Sequence, residues 1–146
     1  MLNQQGFTLV ELMVAIAIIA MLSAIGLPGY QRYLDKAAMA DMLQLLAPYK
    51  SAVELCALQR GGVKGCHAGG DGIPEGMASR YVQQVKVQDG VISLTGRRAL
   101  KGLTLALTPE RTGAGLRWSS DCRAMEDAGH LVEPCRALFS MDGAED

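Results

Sequence analysis

The sequence predicts an α+β protein in which a long N-terminal helix packs on an antiparallel sheet of about four strands. Three observations carry that expectation. An unbroken apolar run from Leu12 to Leu22 lies close to the N-terminus. Apolar residues then recur every three or four positions as far as Gln59, the spacing of a one-sided helix. Beyond Gly76, short alternating segments are separated by Gly- and Asp-bearing turns, the pattern of strands. At 146 residues the chain has room for the hydrophobic helix and one domain of about 110–120 residues with its own core. Its net charge of −1 contains no polybasic run, which speaks against a dedicated nucleic-acid surface.

The first element is a helix from Phe7 to Leu27, which at about 1.5 Å per residue is about 32 Å long, enough to cross a hydrocarbon core. Only Ser23 and Gly26 interrupt its apolar stretch between Leu12 and Pro28. Glu11 stands inside it, and a carboxylate in such a segment costs about 2.5–3.5 kcal/mol on insertion scales, so it calls for a partner. A secretory signal would carry a basic start, a shorter apolar run and a small-x-small cleavage site, which Ser23-Ala24-Ile25-Gly26-Leu27-Pro28 matches poorly. A plain membrane anchor accounts for the hydrophobicity and leaves Glu11 unexplained.

Past Pro28-Gly29 the helix is expected to continue to about Gln59 as an amphipathic element. Ala38, Met42, Leu45, Tyr49, Val53 and Cys56 form its apolar stripe, with Arg32, Asp35, Lys36, Asp41 and Lys50 mostly off it. Pro28 and Pro48 are each expected to kink the helix or melt it locally, since proline removes a backbone bond. Gly61-Gly62 ends it, and the glycine-rich stretch to Gly76 is a loop. Strands follow at Tyr81–Val87, Val91–Thr95, Leu103–Thr108 and Leu116–Ser119, the first two joined through the Asp89-Gly90 hairpin signal. Trp118 is expected as a core or edge anchor. Cys122 and Cys135 bracket a segment expected to be a loop, followed by Cys135–Phe139 and an acidic tail, Asp142–Asp146.

All four cysteines, Cys56, Cys66, Cys122 and Cys135, lie beyond the apolar helix. An even count on one side of a span reads as a disulfide framework in an oxidising compartment. Of the three connectivities, Cys56–Cys66 with Cys122–Cys135 closes the shortest loops and costs least chain entropy. A metal site is the competing reading, since His67 adjoins Cys66 and His130 lies between the last two cysteines. No pair has zinc-knuckle spacing, however, and no nucleophile motif supports a Cys–His catalytic pair. Neither a metal, a cofactor nor an enzymatic constellation is expected. Disulfides beyond the span place that part in the periplasm or outside, with the N-terminus in the cytoplasm. That argument substitutes for leader charge, because Met1–Gly6 carries no Lys or Arg.

Met1–Gly6 followed by Phe7-Thr-Leu-Val-Glu11-Leu-Met-Val resembles the class III signal of type IV pilins and of the related type II secretion pseudopilins. Further segments, among them Lys36-Ala-Ala, Asp41-Met-Leu-Gln, Pro48-Tyr49, Ala52–Leu58, Arg80-Tyr-Val82 and Val91–Gly96, resemble the enteric, prepilin-peptidase-dependent branch of the major type IVa pilins. The resemblance implies the ladle fold of that family. It implies cleavage between Gly6 and Phe7 by a prepilin peptidase, N-methylation of Phe7, and assembly through Phe7 and Glu11, the Glu11 carboxylate meeting the Phe7 ammonium of a neighbouring subunit. It divides the chain into a leader (1–6), an apolar transmembrane and assembly helix (7–27), an amphipathic helix that Pro28 kinks away from it (28–60), and a globular remainder (61–146). The implied partners are further copies in a helical filament, the inner-membrane assembly platform, an outer-membrane secretin, minor pilins, and membrane lipid before assembly. The implied location is the inner membrane, then an extracellular pilus.

Three roles compete on this basis: a major pilin serving adhesion, motility or DNA uptake; a type II secretion pseudopilin; and a minor pilin acting as a binding module. Scattered Asp121, Glu126 and Asp127 do not suggest the calcium loop that pseudopilins of the major type carry. Arg97, Arg98 and Lys101 form the one basic cluster, readable as a solvated turn, an inter-subunit contact or a DNA contact.

Overall fold

A computed structural model describes residues 5–140; the start of the leader and the acidic tail Asp142–Asp146 lie outside the described residues. Helix α1 runs over Leu9–Arg60, beginning two residues later than Phe7. It divides between two compact units, one ending at Leu34 and the other beginning at Asp35. In the first unit the described residues of α1 are all exposed, including every large apolar side chain from Leu9 to Tyr33. Local melting at the prolines does not occur, since Pro28 and Pro48 both sit inside continuous helix. Each removes one backbone bond, and the helical turns on both sides hold the dihedrals that proline itself favours.

In the second unit the apolar stripe of α1 buries Ala38, Met39, Met42, Leu46, Tyr49, Val53 and Cys56. Leu45, expected on that stripe, is half-buried, and Leu46 takes the central position. Gly61 follows the last helical residue with φ 76°, the left-handed stop that glycine adopts without a Cβ penalty. The Arg111 guanidinium donates to the Gly61 carbonyl and so occupies one of the acceptors exposed at that end.

Four strands, β1 (Val82–Gln88), β2 (Val91–Gly96), β3 (Leu103–Thr112) and β4 (Gly115–Ala124), pair antiparallel in the order β1-β2-β3-β4. Ile92 and Leu94 of β2 and Leu103, Leu105 and Leu107 of β3 alternate inward to the core that also holds the α1 stripe. In β1 the buried residues Val82 and Val85 are three apart, because a bulge between Val82 and Gln84 resets the alternation. Asp89 (φ 48°) and Gly90 (φ 81°) form the β1–β2 turn with both residues left-handed, as a two-residue hairpin requires. The long loop docks on this turn: Gly90 donates to the Cys66 carbonyl at 3.0 Å, and the Gly65 amide donates to the Asp89 carboxylate at 2.8 Å.

Strands β3 and β4 extend beyond the segments expected, so their hairpin turns at Gly113-Ala114. Pro109 looks like a terminator in the sequence. It lies beyond Leu107, the last β3 residue paired toward β2, at a position where β4 alone pairs with it. The expected Cys122–Cys135 loop is instead ordered: a 3-10 turn over Glu126–Leu131 leads into helix α2, Val132–Ser140. Cys135 and Phe139 are buried from one face of α2. His130 approaches Asp35 at 3.9 Å, between this turn and the start of the second unit.

Tyr49 ties the glycine-rich loop to the helix. Its ring is fully buried; its hydroxyl donates to the Glu75 carbonyl at 2.7 Å and accepts from the Met77 amide at 3.0 Å. Tyr49→Phe keeps the packing and orphans both backbone groups, so stability is expected to fall by about 1–3 kcal/mol. Hydrogen exchange should localise the loosening to residues 74–78, and an unchanged exchange pattern would refute this anchoring role.

Candidate processing and assembly site

Gly6 and Phe7 lie outside regular secondary structure just before the helix, and Phe7 is 86% exposed. A Cβ added at Gly6 would meet nothing within 4 Å. The fold therefore makes no demand for glycine at this position, and a requirement for it would come from a molecule that must approach the 6–7 bond closely.

Thr8 starts the helix. Its hydroxyl accepts from the Glu11 amide at 3.2 Å, and its carbonyl accepts from the Leu12 amide at 3.2 Å. Thr8-Leu-Val-Glu11 has the spacing of a capping box, a local signature at the head of the apolar run that marks Thr8 as a residue of the site. Glu11 thus occupies the first turn, where a carboxylate complements the amide-rich end of the helix by about 0.3–1 kcal/mol. Its side chain is exposed, as are Val10, Leu12 and Met13 around it. Helix capping explains an acid near the start of a helix; it does not explain one embedded in residues of membrane grade. By length and composition α1 is able to cross a membrane, and none of its most apolar window is buried. So large an apolar surface is a surface to be covered.

The cysteines are joined as Cys56–Cys66 and Cys122–Cys135. No thiolate is left for a metal or a nucleophile. His67 instead accepts from the Asp89 amide at 3.2 Å through Nδ1, and His130 faces Asp35. Trp118 is half-buried at the edge strand, donating from its indole N–H to Glu54 at 2.9 Å with Lys50 over its ring. Arg97, Arg98 and Lys101 fall in and beside the 3-10 turn between β2 and β3, far along the sequence from the residues of the N-terminal site.

Comparison with known proteins bears on both ends of the chain. Residues 1–27 match the family described as the prokaryotic N-terminal methylation motif. The chain is 48% identical over 144 residues to prepilin peptidase-dependent protein D of Escherichia coli (strain K12), covering 97% of this chain and 98% of that protein. It is 34% identical over 122 residues to the type IV major pilin protein PilE1 of Neisseria gonorrhoeae, covering 79% of this chain and 68% of that one. Among solved structures it is similar to the solution NMR structure of the major type IV pilin PpdD from enterohemorrhagic Escherichia coli. That likeness has 39% identity and a TM-score of 0.65 over 78% of this chain and 89% of that one.

Proposed function

This chain belongs to the type IV pilin family, and from that premise we propose that it is the major structural subunit of a type IV pilus. The observation that carries the proposal is the coincidence of a methylation motif with a helix whose apolar half is wholly uncovered. In lipid that half satisfies its own backbone bonds; in a filament the same surface is covered by the helices of neighbouring copies. The subunit waits in the inner membrane with its disulfide-bearing domain on the periplasmic side. A prepilin peptidase cuts between Gly6 and Phe7 and methylates the Phe7 nitrogen. The assembly platform, minor pilins and an outer-membrane secretin take the subunit onward into the extracellular filament.

Within this reading Glu11 and Phe7 are the assembly pair. Cleavage creates the Phe7 ammonium, and a buried carboxylate is stabilised by an opposite charge and otherwise takes up a proton. Pro28, with no amide to donate, is the point in the exposed half of α1 at which bending costs least. A pilus subunit fits a role in building the filament rather than in chemistry.

Electron microscopy of sheared surface fractions, with intact-mass analysis of the subunit, tests the proposal. Filaments whose subunit has lost Met1–Gly6 and gained one methyl group are expected. A filament subunit that keeps residues 1–6 sinks the processing scheme. Absence of surface filaments, with the chain retained in a secretion complex, replaces the pilus subunit by a pseudopilin.

A further inference from the structure

One strongly charged feature is left unused by the N-terminal site. The start of β1, the end of β2, the start of β3 and the end of β4 all lie at one end of the sheet, because Val82 pairs with Gly96, Thr95 with Thr104 and Leu103 with Ala124. Arg80 and Arg97 stand there beside β1 and β2, Arg98 and Lys101 in the turn that crosses to the start of β3, and no Asp or Glu occurs between Gly90 and Pro109. None of the four forms an ion pair among the described residues.

The turn that presents them is fixed. Arg97 donates through its amide to the Tyr81 carbonyl and through Nε to the Arg80 carbonyl, and Arg80 lies over the Tyr81 ring. Buried Leu100 anchors the turn in the core. A Cβ at Gly96 would fall 2.1 Å from the Leu100 carbonyl oxygen, so the backbone closes tightly on itself. Arg98 is held at φ 57°, a left-handed conformation uncommon for a side-chain-bearing residue.

On the β4 side of the same end stand Glu126 and Asp127, exposed and also without an ion pair among the described residues. The Met125 amide donates to the Gly102 carbonyl, which fixes this acidic turn at the level of the basic one. The basic rim therefore runs from β1 to the start of β3, and the acidic turn follows it beyond β4 at the same end of the sheet.

We propose that the basic rim of Arg80, Arg97, Arg98 and Lys101 docks the acidic turn Glu126–Asp127 of a second copy of this chain, side by side. The inference rests on the pilus reading. A contact between two different patches of the same chain is heterologous, repeats from copy to copy and leaves a free patch at each end. Such a contact sets lateral register in a filament whose helices supply the apolar burial. Charged rims contribute specificity and orientation more than affinity.

The test uses the full chain expressed with its assembly machinery, scored by sheared filament yield, subunit level and intact disulfides. Arg98→Glu with Lys101→Glu is expected to lower filament yield about tenfold through like-charge contacts at normal subunit level. Glu126→Arg with Asp127→Lys should be similarly defective. The four-fold swap should bring yield back to within about twofold of wild type, because each contact regains opposite charges. Wild-type yield from either double variant overturns the contact, as does failure of the swap to rescue with all subunits folded. Filaments at normal yield that lose binding to duplex DNA or anionic vesicles in the Arg98/Lys101 variant also overturn it, in favour of an anionic ligand. An unchanged wild type that forms no filament at all removes the pilus reading itself, a result distinct from any of these.

Discussion

Glu11→Ala is expected to abolish or sharply slow filament assembly while leaving a folded, membrane-inserted subunit at near-normal level. The monomer loses little. The bond that starts the helix runs from the backbone amide of residue 11 to the Thr8 hydroxyl, and alanine keeps that amide. What disappears is a first-turn acid worth about 0.3–1 kcal/mol at an exposed helix start. Removing it also relieves the cost of a carboxylate in lipid. On the proposed pairing the assembled state loses far more, because the Phe7 ammonium of the neighbouring subunit would stay buried without its counter-charge. Breaking a buried pair in that way costs about 3–5 kcal/mol, two to four orders of magnitude in an association constant. Filament counts by electron microscopy and subunit level by immunoblot separate the two effects. Pili of wild-type abundance and length from Glu11→Ala would return the carboxylate to a helix-capping role alone. Loss of the subunit from the membrane would show that Glu11 acts in the monomer.

The parts of this fold legible in the sequence are those set by local chemistry or long periodicity. The apolar run from Leu12 to Leu22 specifies helix with no help from tertiary packing. Asp89-Gly90 specifies its hairpin because both residues tolerate the left-handed backbone that the turn needs. Thr8 was legible too, as the partner of Glu11 in a capping spacing. Helix α2 was not legible. It is nine residues long with Pro134 in its first turn, too short to be stable alone, and its inward face consists of little more than Cys135 and Phe139. The contacts that hold it come from β4 and from a disulfide, neither of which a local pattern encodes. The part of β3 beyond Thr108 was not legible because Pro109 and Gly113 look like breakers; Pro109 is tolerated because β2 reaches only as far as Leu107 along β3, a matter of register.

That dependence makes the Cys122–Cys135 bridge the bond whose removal should have the largest effect on the globular part. Chain-entropy arguments give the two bridges nearly equal values, about 3 kcal/mol each, since their loops close over sequence separations of 10 and 13. What they hold differs. Cys66 is also fixed by its neighbours: its amide donates to the Val63 carbonyl and its carbonyl accepts from Gly90. The turn and helix that follow β4 have fewer ties, chiefly the Met125 amide on the Gly102 carbonyl and the burial of Ala128, Leu131, Cys135 and Phe139. Without the bridge a nine-residue helix gains too little from that burial to offset its ordering entropy. Cys122→Ala with Cys135→Ala is therefore expected to lower unfolding free energy by at least about 3 kcal/mol and to free α2, with hydrogen exchange rising across residues 126–140. Cys56→Ala with Cys66→Ala should cost a similar amount globally while exchange rises mainly in residues 61–70. Denaturant unfolding of the full chain in detergent, with exchange mapped by peptide, measures both. Continued protection of residues 132–140 in the Cys122/Cys135 variant would show that packing on β4 alone holds this helix.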